Sequence, residues 1–179
     1  MAKVGIFYGT DTGSTRKVAK LIQQAFGEDL AAAPKNINQV QDASEWADYD
    51  YLVLGTPTAG EGLLPGLDSE CSQESWDEFL PNFEDLDLSG KTVALFGLGD
   101  QVNYGEMFVD ALGELYDYVA ECGPQIVGRW PLDGYEFEES SAVDEDEFVG
   151  LVIDKDNQAN LTESRVTTWV AQIKQEMGL

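Results

Sequence analysis

The sequence contains no histidine and few basic side chains. Its 179 residues include 34 acidic and 10 basic side chains, so the formal net charge at pH 7 is −24. Without histidine, the chain lacks the usual nitrogen ligand of zinc and copper and the base of Ser-His and Cys-His catalytic arrangements. A surface this negative also repels the phosphate backbone and anionic lipid headgroups. These absences argue against most hydrolytic enzymes and against nucleic acid or a membrane as direct partners, whereas a basic protein partner fits.

Cysteines and long apolar runs are also scarce. Cys71 and Cys122 are the two cysteines and have no CxxC spacing, which is typical of reduced thiols in an intracellular protein. No apolar run approaches the ~18 residues of a membrane span. The first residues lead directly into a strand pattern and a glycine-threonine loop instead of forming a secretory signal. We therefore expect a cytoplasmic protein, and we expect it to be a monomer.

The patterns that are present alternate between strand and helix. Short apolar runs of the kind that forms buried parallel strands occur at 3–9, 51–54 and 92–96, with weaker ones at 36–40, 125–130 and 148–153. Helical spacing of apolar residues occurs at 14–27, 75–83, 107–120 and 163–177, the last with Thr162 as its predicted cap. The alternation predicts a single α/β domain over residues 1–179, with a doubly wound, five-stranded parallel sheet and helices on both faces. An acidic stretch near 131–147 is predicted to be an insertion that splits the last strand.

The loop after the first strand has the composition of a phosphate site. Residues 9–15, Gly-Thr-Asp-Thr-Gly-Ser-Thr, lead into a helix N-terminus, whose free backbone N–H groups and dipole favour an anion. Four hydroxyls within six residues exceed what a cap requires, although a loop in which Ser14 merely caps the helix is the simpler alternative. The Walker and GxGxxG spacings are absent. The loop therefore predicts a single phosphate that is held by neutral donors and not transferred.

Two further loops follow the central strands, at the sheet edge where open α/β sheets bind ligands. Residues 55–62 form a loop of glycines, threonines and one proline, which taken alone is simply a turn. Residues 97–104 bring an acid, an amide and an aromatic onto one glycine-rich loop, where they could hydrogen-bond to and stack upon a flat heterocycle. Tyr104 is equally well explained as an ordinary surface aromatic that precedes a helix.

In this order the three loops resemble those of the flavodoxins. The matching segments are Thr-x-Thr-Gly-x-Thr at 10–15, Gly-Thr-Pro-Thr at 55–58 and Gly-x-Gly-Asp-Gln-x-x-Tyr at 97–104, and the similarity covers nearly the whole chain. The interruption near 131–147 resembles the insertion of the long-chain branch. The loop 61–76 resembles that of the flavodoxins linked to nitrogen fixation. The resemblance implies a flavodoxin-like fold and a tightly bound, non-covalent FMN.

The resemblance also implies a function and a set of cofactor contacts. It implies a low-potential one-electron carrier, not an enzyme, that takes electrons from a reductase and passes them to another redox protein, with nitrogenase reductase as the expected acceptor. The contacts that it implies are as follows: Thr10, Asp11 through its backbone, Thr12, Gly13, Ser14 and Thr15 at the phosphate; Thr56, Pro57, Thr58, Ala59 and Gly60 along the inner face of the isoalloxazine ring; Leu98, Gly99, Asp100 and Gln101 at its pyrimidine edge; Tyr104 on the outer face; and Asp156 near the ribityl chain. Ala59 stands where many relatives carry tryptophan, so one ring face is expected to have less aromatic cover.

Acidic residues concentrate in two segments. Nine lie between Glu61 and Leu88 with no basic residue, and ten lie between Asp133 and Asp156 against Lys155 alone. Near a flavin, such charge would raise the energy of a reduced, anionic ring and would orient basic partners.

Three other functions compete with this interpretation. A flavin-dependent quinone or nitro reductase on the same fold is the main alternative, but it would usually need a nicotinamide site, and no second nucleotide fingerprint is present. A phosphorylation-receiver domain would need acidic residues where Tyr8 and Thr56 stand. A calcium loop starting at Asp154 would lack the glycine at its sixth position.

Overall fold

A parallel β-sheet forms the centre of the molecule, in a computed structural model that describes residues 2–179. Strands β1 (Val4–Tyr8), β3 (Tyr51–Thr56) and β4 (Thr92–Leu98) pair in register and are buried along almost their whole length. The short strand β2 (Lys35–Asn36) pairs with β1, and β5 (Gln125–Val127) pairs with β4, which gives the order β2-β1-β3-β4-β5. The continuous apolar runs read from the sequence are therefore the central strands of a doubly wound sheet.

Two separate segments share the fifth position of this sheet. β5 pairs with the first residues of β4, and β9 (Leu151–Ile153) pairs with the last ones, Phe96 to Leu98. Gly128 ends β5 at a φ of +87°, a conformation that residues with a side chain rarely adopt. The chain between them forms a small antiparallel sheet from β6 (Trp130–Pro131), β7 (Val143–Asp144) and β8 (Glu147–Phe148). The acidic stretch near 131–147, predicted to be an insertion that splits the last strand, thus contains short strands of its own.

Helices cover the sheet. α1 (Ser14–Phe26) and α4 (Thr162–Met177) pack against each other, and α4 also contacts β5 and β9, whereas α3 (Asp110–Glu121) packs on β3 and β4. The apolar stripe predicted for the last helix is buried in full, and consists of Val166, Trp169, Val170, Ile173 and Met177. None of the helices within residues 2–179 is long and apolar enough to cross a bilayer. Cys71 and Cys122 are buried free thiols.

An aromatic cluster anchors the segment between β3 and β4 to the core. The rings of Trp46 and Phe79 lie 5.3 Å apart and those of Trp46 and Trp76 lie 6.4 Å apart, each as a tilted or edge-on pair. The Trp76 indole N–H donates to the carbonyl of Gly55 at 2.8 Å. This bond ties α2 (Trp76–Phe79) to the end of β3, so the loop that leaves β3 starts from a fixed point.

Four predicted elements differ from the structure. The strand predicted at 36–40 is wrong beyond Asn36, because the Asn36 side chain accepts the Asn38 N–H and starts a 3-10 turn over Ile37–Gln39. The helix predicted at 75–83 is α-helical only in α2 and continues as the 3-10 turn Leu80–Phe83, because Pro81 has no backbone N–H. The predicted strands at 125–130 and 148–153 each divide between the two sheets, as described above.

Both later helices begin differently from prediction. A 3-10 turn over Gly105–Met107 precedes α3, so that helix starts three residues after its predicted start. A second 3-10 turn over Ala159–Leu161 leads into α4, so Thr162 is already helical and Leu161 occupies the cap position. The prediction of Thr162 as a cap is therefore wrong.

Candidate functional site

The carboxyl ends of β1, β3 and β4 open onto one cleft of about 250 Å³. Parallel strands end at the same edge of a sheet, so the loops that follow them meet there. We call this space the three-loop cleft. Its lining residues, which also include the start of the chain after β9, are Thr10, Asp11, Thr12, Ser14, Thr15, Pro57, Thr58, Ala59, Gly60, Leu98, Gly99, Asp100, Tyr104, Met107, Val109, Lys155 and Asp156.

The cleft brings together the residues expected to contact a cofactor, with three exceptions. Gly13, Thr56 and Gln101 do not line it. Three lining residues were not among those expected: Met107, Val109 and Lys155. Residue type alone does not mark these three as site residues. The sequence indicates them only by their positions, since Lys155 precedes Asp156 and the other two lie within five residues after Tyr104.

The loop after β1 presents the uncapped N-terminus of α1 to the cleft. Gly13 is the cap residue, no side chain accepts a hydrogen bond from the first turn, and that turn contains no acidic residue. The Gly13 N–H donates to Thr10 Oγ1 at 2.9 Å, and the Thr12 and Ser14 hydroxyls lie 3.2 Å apart. The alternative in which Ser14 caps the helix is therefore wrong. Free N–H groups and hydroxyls remain as neutral donors at the positive end of the helix dipole.

Two threonine hydroxyls at the cleft have no hydrogen-bond partner among the described residues. Thr15 Oγ1 and Thr58 Oγ1 are both buried and unpaired, on opposite loops of the site. A buried hydroxyl without a partner costs on the order of 1–3 kcal/mol. A bound group rich in acceptor oxygens at this position would remove that cost, so the donor set fits a phosphate-bearing ligand.

A tight turn forms the second wall. Ala59 and Leu63 exchange two backbone hydrogen bonds of 2.8 Å, which close the turn over Gly60, Glu61 and Gly62. Gly60 has a φ of +46° and is exposed at the tip. The Thr56 hydroxyl is fully buried and donates to the Pro57 carbonyl at 2.8 Å, so this side chain shapes the turn and does not line the cleft.

A fully buried carboxylate holds the third loop. Asp154 Oδ2 accepts the backbone N–H of Gln101 at 3.0 Å and its side-chain amide at 2.7 Å, while Oδ1 accepts the N–H groups of Asp156 and Asn157. Gln101 Oε1 in turn accepts the Glu136 N–H at 2.6 Å. These bonds turn the Gln101 side chain into the protein. The Gln101 side chain is therefore not available to a ligand in the cleft.

Asp100 adds a fixed negative charge to the cleft wall. Burial disfavours its ionised form, but hydrogen bonds from the Asn103 backbone and from the Asn157 and Asn103 amides outweigh burial and lower the pKa of this carboxyl. Asp156 lies on the same wall, with Lys155 as the one basic residue among the described residues that line the cleft. The electrostatic field at this end of the cleft is therefore set mainly by carboxylates.

Tyr104 forms the outer rim of the cleft. It lines the cleft and is nevertheless 49% exposed, so one ring face is available to a ligand. Val102 lies on the same loop, is 70% exposed and does not line the cleft. Tyr104 is thus placed at the cleft with enough free surface for a ligand to stack on it.

Comparison with known proteins identifies the family. The flavodoxin family model matches residues 6–169. The chain belongs to the flavodoxin family. It is 52% identical to a flavodoxin of Klebsiella pneumoniae over 97% of this chain and 98% of that protein. It is 45% identical to a flavodoxin of Synechococcus elongatus over the full length of both.

Solved structures in the flavodoxin family share the architecture. A Fusobacterium nucleatum flavodoxin, described as bound to flavin mononucleotide, is 35% identical, with a TM-score of 0.86 over 98% of this chain and 99% of that one. The parallel sheet and the flanking helices are thus those of a flavodoxin fold.

We predict that Asp154→Asn destabilises the protein by ~1.5–3 kcal/mol. In the wild type, both carboxylate oxygens of Asp154 accept N–H groups. Asparagine replaces one of these oxygens with an NH2 group, so the N–H groups that faced that oxygen lose their acceptor. Urea denaturation would measure the free energy of unfolding. Asp156→Asn is the matched control, because Asp156 is exposed and is expected to change stability by less than about 0.5 kcal/mol. Equal stability of Asp154→Asn and the wild type would contradict the role assigned to Asp154.

Proposed function

We propose that the protein binds one FMN non-covalently in the three-loop cleft and carries single electrons between larger redox proteins. The observation that carries the proposal is the pairing of an uncapped α1 N-terminus with unpartnered, buried threonine hydroxyls, in a chain of the flavodoxin family. Bound FMN supplies a ring that accepts and donates one electron at a time. The protein supplies binding, orientation and charge. Within the proposal, residues 1–179 form one FMN-binding domain.

The loop after β1 would hold the phosphate. Backbone N–H groups at a helix N-terminus bind anions well, and the hydroxyls of Thr10, Thr12, Ser14 and Thr15 add further donors. Thr15 Oγ1 supports this assignment most directly, because a phosphate oxygen would supply the partner that it lacks. Among the described residues that line the cleft, those of this loop include no lysine or arginine, and Lys155 comes from the chain after β9. A phosphate bound by such neutral donors keeps its negative charge beside the ring.

The two remaining loops would enclose the ring system. Pro57, Thr58, Ala59 and Gly60 form the inner wall, and Tyr104 covers the outer side. Backbone groups of the loop from Leu98 to Gln101 would meet the polar edge of the ring, since the Gln101 side chain is bound to Asp154. Leu98, Met107 and Val109 contribute apolar surface to the cleft, which suits a flat aromatic ligand.

Carboxylates at the cleft would lower the reduction potential. Asp100 is held ionised by its hydrogen bonds, and Asp156 lies beside it on the cleft wall. Each added electron is repelled by these charges and by the acidic segments 61–88 and 133–156. Since about 59 mV corresponds to ~1.4 kcal/mol for one electron, modest repulsion is enough to make the reduced protein a strong donor.

We predict that Tyr104→Ala raises the Kd for FMN by roughly 10- to 100-fold. Stacking on an aromatic side chain contributes ~1–3 kcal/mol in comparable base-binding sites. Quenching of FMN fluorescence on titration of the apoprotein measures the affinity. Val102→Ala is the control, because Val102 is more exposed and lies on the same loop outside the cleft. If both variants bind as the wild type does, Tyr104 is not part of the site.

Anaerobic stepwise reduction tests the proposed function. We expect the FMN-loaded protein to take up two electrons in resolved one-electron steps, with an EPR signal that is greatest after one electron equivalent. A single two-electron step would contradict a carrier and would favour a flavin-dependent reductase. NADPH oxidation by the purified protein alone would favour that enzyme as well.

We propose that the partners are redox proteins with a basic docking face. The loops of the cleft carry exposed apolar side chains, among them Leu63 and Tyr104, and the acidic segments 61–88 and 133–156 supply the complementary charge. A reductase would be the donor. For the acceptor we propose nitrogenase reductase, on the length of the loop 61–76 and its resemblance to the loop of nitrogen-fixation flavodoxins.

We predict that electron transfer from the reduced protein to nitrogenase reductase slows as salt rises. Opposite charges steer association, and between about 0.05 and 0.5 M salt most of that attraction is screened. Stopped-flow absorbance would follow the transfer rate. Glu61→Gln should lower the low-salt rate more than Glu28→Gln, an exposed acid outside both acidic segments. A rate that is independent of salt would contradict electrostatic docking, and a rate of zero would exclude this acceptor.

A further inference from the structure

A second, polar groove of about 600 Å³ lies beside the three-loop cleft, along α1 and β2. We call it the amide groove. It shares Thr10 and Asp11 with the cleft and then runs along the side of α1 that carries Arg16 and Lys20. Its other wall contains Asn36, Gln39 and Gln73. The volume is in the range of small-molecule sites.

The two cations of the groove have no acidic partner. Among the described residues, Lys35 pairs with Glu45 at 2.6 Å, and Arg129 pairs with Asp144 and Glu147. Arg16 and Lys20 lie one helical turn apart and have no carboxylate within 4.0 Å among the same residues. The guanidinium of Arg16 and the ammonium of Lys20 are therefore free to bind an anion in the groove.

A buried phenol also lines the groove. Tyr8 is only 5% exposed, and its hydroxyl has no hydrogen-bond partner among the described residues. Burial raises the pKa of this phenol, and the charge of Arg16 acts to lower it. The ring is buried, but the hydroxyl oxygen itself is reached by solvent and is therefore open to a ligand in the groove. A ligand oxygen between Tyr8 and Arg16 would serve both groups.

The amides on the opposite wall are arranged to donate. The Asn36 side-chain oxygen accepts the Asn38 N–H at 3.1 Å, and the Gln73 side-chain oxygen accepts the Asn38 amide at 3.3 Å. Since both oxygens are occupied, the NH2 groups of Asn36 and Gln73 remain as donors. Cations and a phenol on one wall therefore face amide donors on the other.

We propose that the amide groove binds the oxyanion group, a phosphate or a carboxylate, of a small molecule other than the redox cofactor. Two cations, a phenol and two amide NH2 groups together match an acceptor-rich anion, and Asp11 is the one acid among the described residues that line the groove. The net charge of −24 disfavours an extended polyanion such as a nucleic acid, and the groove volume of about 600 Å³ favours a small ligand over a protein surface. The proposal does not depend on the function proposed above.

Isothermal titration of the FMN-loaded protein with pyrophosphate and with citrate tests the proposal. Loading with FMN keeps either probe from occupying the phosphate loop of the cleft. We expect saturable one-to-one binding of one probe or both, and the tighter one identifies the oxyanion class. Arg16→Gln combined with Lys20→Gln should weaken binding at least 10-fold, and Tyr8→Phe should weaken it about 3-fold or more.

Lys17→Gln is the matched control, because Lys17 carries the same charge on the same helix, is exposed and does not line the groove. It should change the affinity less than 2-fold. If Lys17→Gln lost as much affinity as the double variant, the binding would depend on the overall positive charge of α1 and not on the groove. That result would overturn the proposal. The proposal would also be overturned if neither pyrophosphate nor citrate bound saturably. It would likewise be overturned if an acidic peptide bound while neither small probe did. FMN absorbance and circular dichroism of each variant show whether cofactor site and fold are intact.

Discussion

Parallel pairing of β1, β3 and β4 is the constraint on which the rest of the molecule depends. It requires each strand to end at the same edge of the sheet, so three loops that are far apart in sequence meet in one cleft. It also requires both faces of the sheet to be covered, which the helices provide. Most backbone N–H and C=O groups in the loops beyond the carboxyl ends of these strands are not paired within the sheet. They are available to a ligand, and the binding site consequently arises from the architecture and not from any single motif.

The buried carboxylate of Asp154 shows how the cleft obtains rigid walls. It collects donors from the loop after β4 and from the chain after β9, and through Gln101 it reaches Glu136 in the segment between the two parts of the fifth strand position. A charge that is fully buried must be paired or hydrogen-bonded to persist. The same bonds remove the Gln101 side chain from the ligand. Rigidity of the loop and direct contact by that side chain are therefore mutually exclusive here.

The sequence predicted the features that depend on local patterns. The strands β1, β3 and β4, the apolar stripe of α4 and the hydroxyl-rich loop at 10–15 all follow from residue types at short spacing, and the structure contains each of them. The failures depend on partners that are distant in sequence or on turn geometry. Gln101 turns inward because of Asp154, and the strand predicted at 36–40 ends early because Asn36 binds a neighbouring N–H.

The three-loop cleft and the amide groove lie side by side but differ in the kind of donor that they offer to an anion. The cleft offers neutral donors to a phosphate, although Arg16 lies directly after Thr15 and faces the neighbouring groove. Within residues 2–179, the cleft-lining residues of the phosphate loop include no cation, so little positive charge compensates a phosphate bound there. That arrangement favours a low reduction potential at the ring, because every added electron is repelled.

A crystal structure of the protein with FMN tests the central claim most directly. The account predicts phosphate oxygens within hydrogen-bonding distance of Thr15 Oγ1 and of the backbone N–H groups at the start of α1, with the ring stacked on Tyr104. A phosphate bound to Arg16 and Lys20, or a ring that does not contact Tyr104, would contradict it.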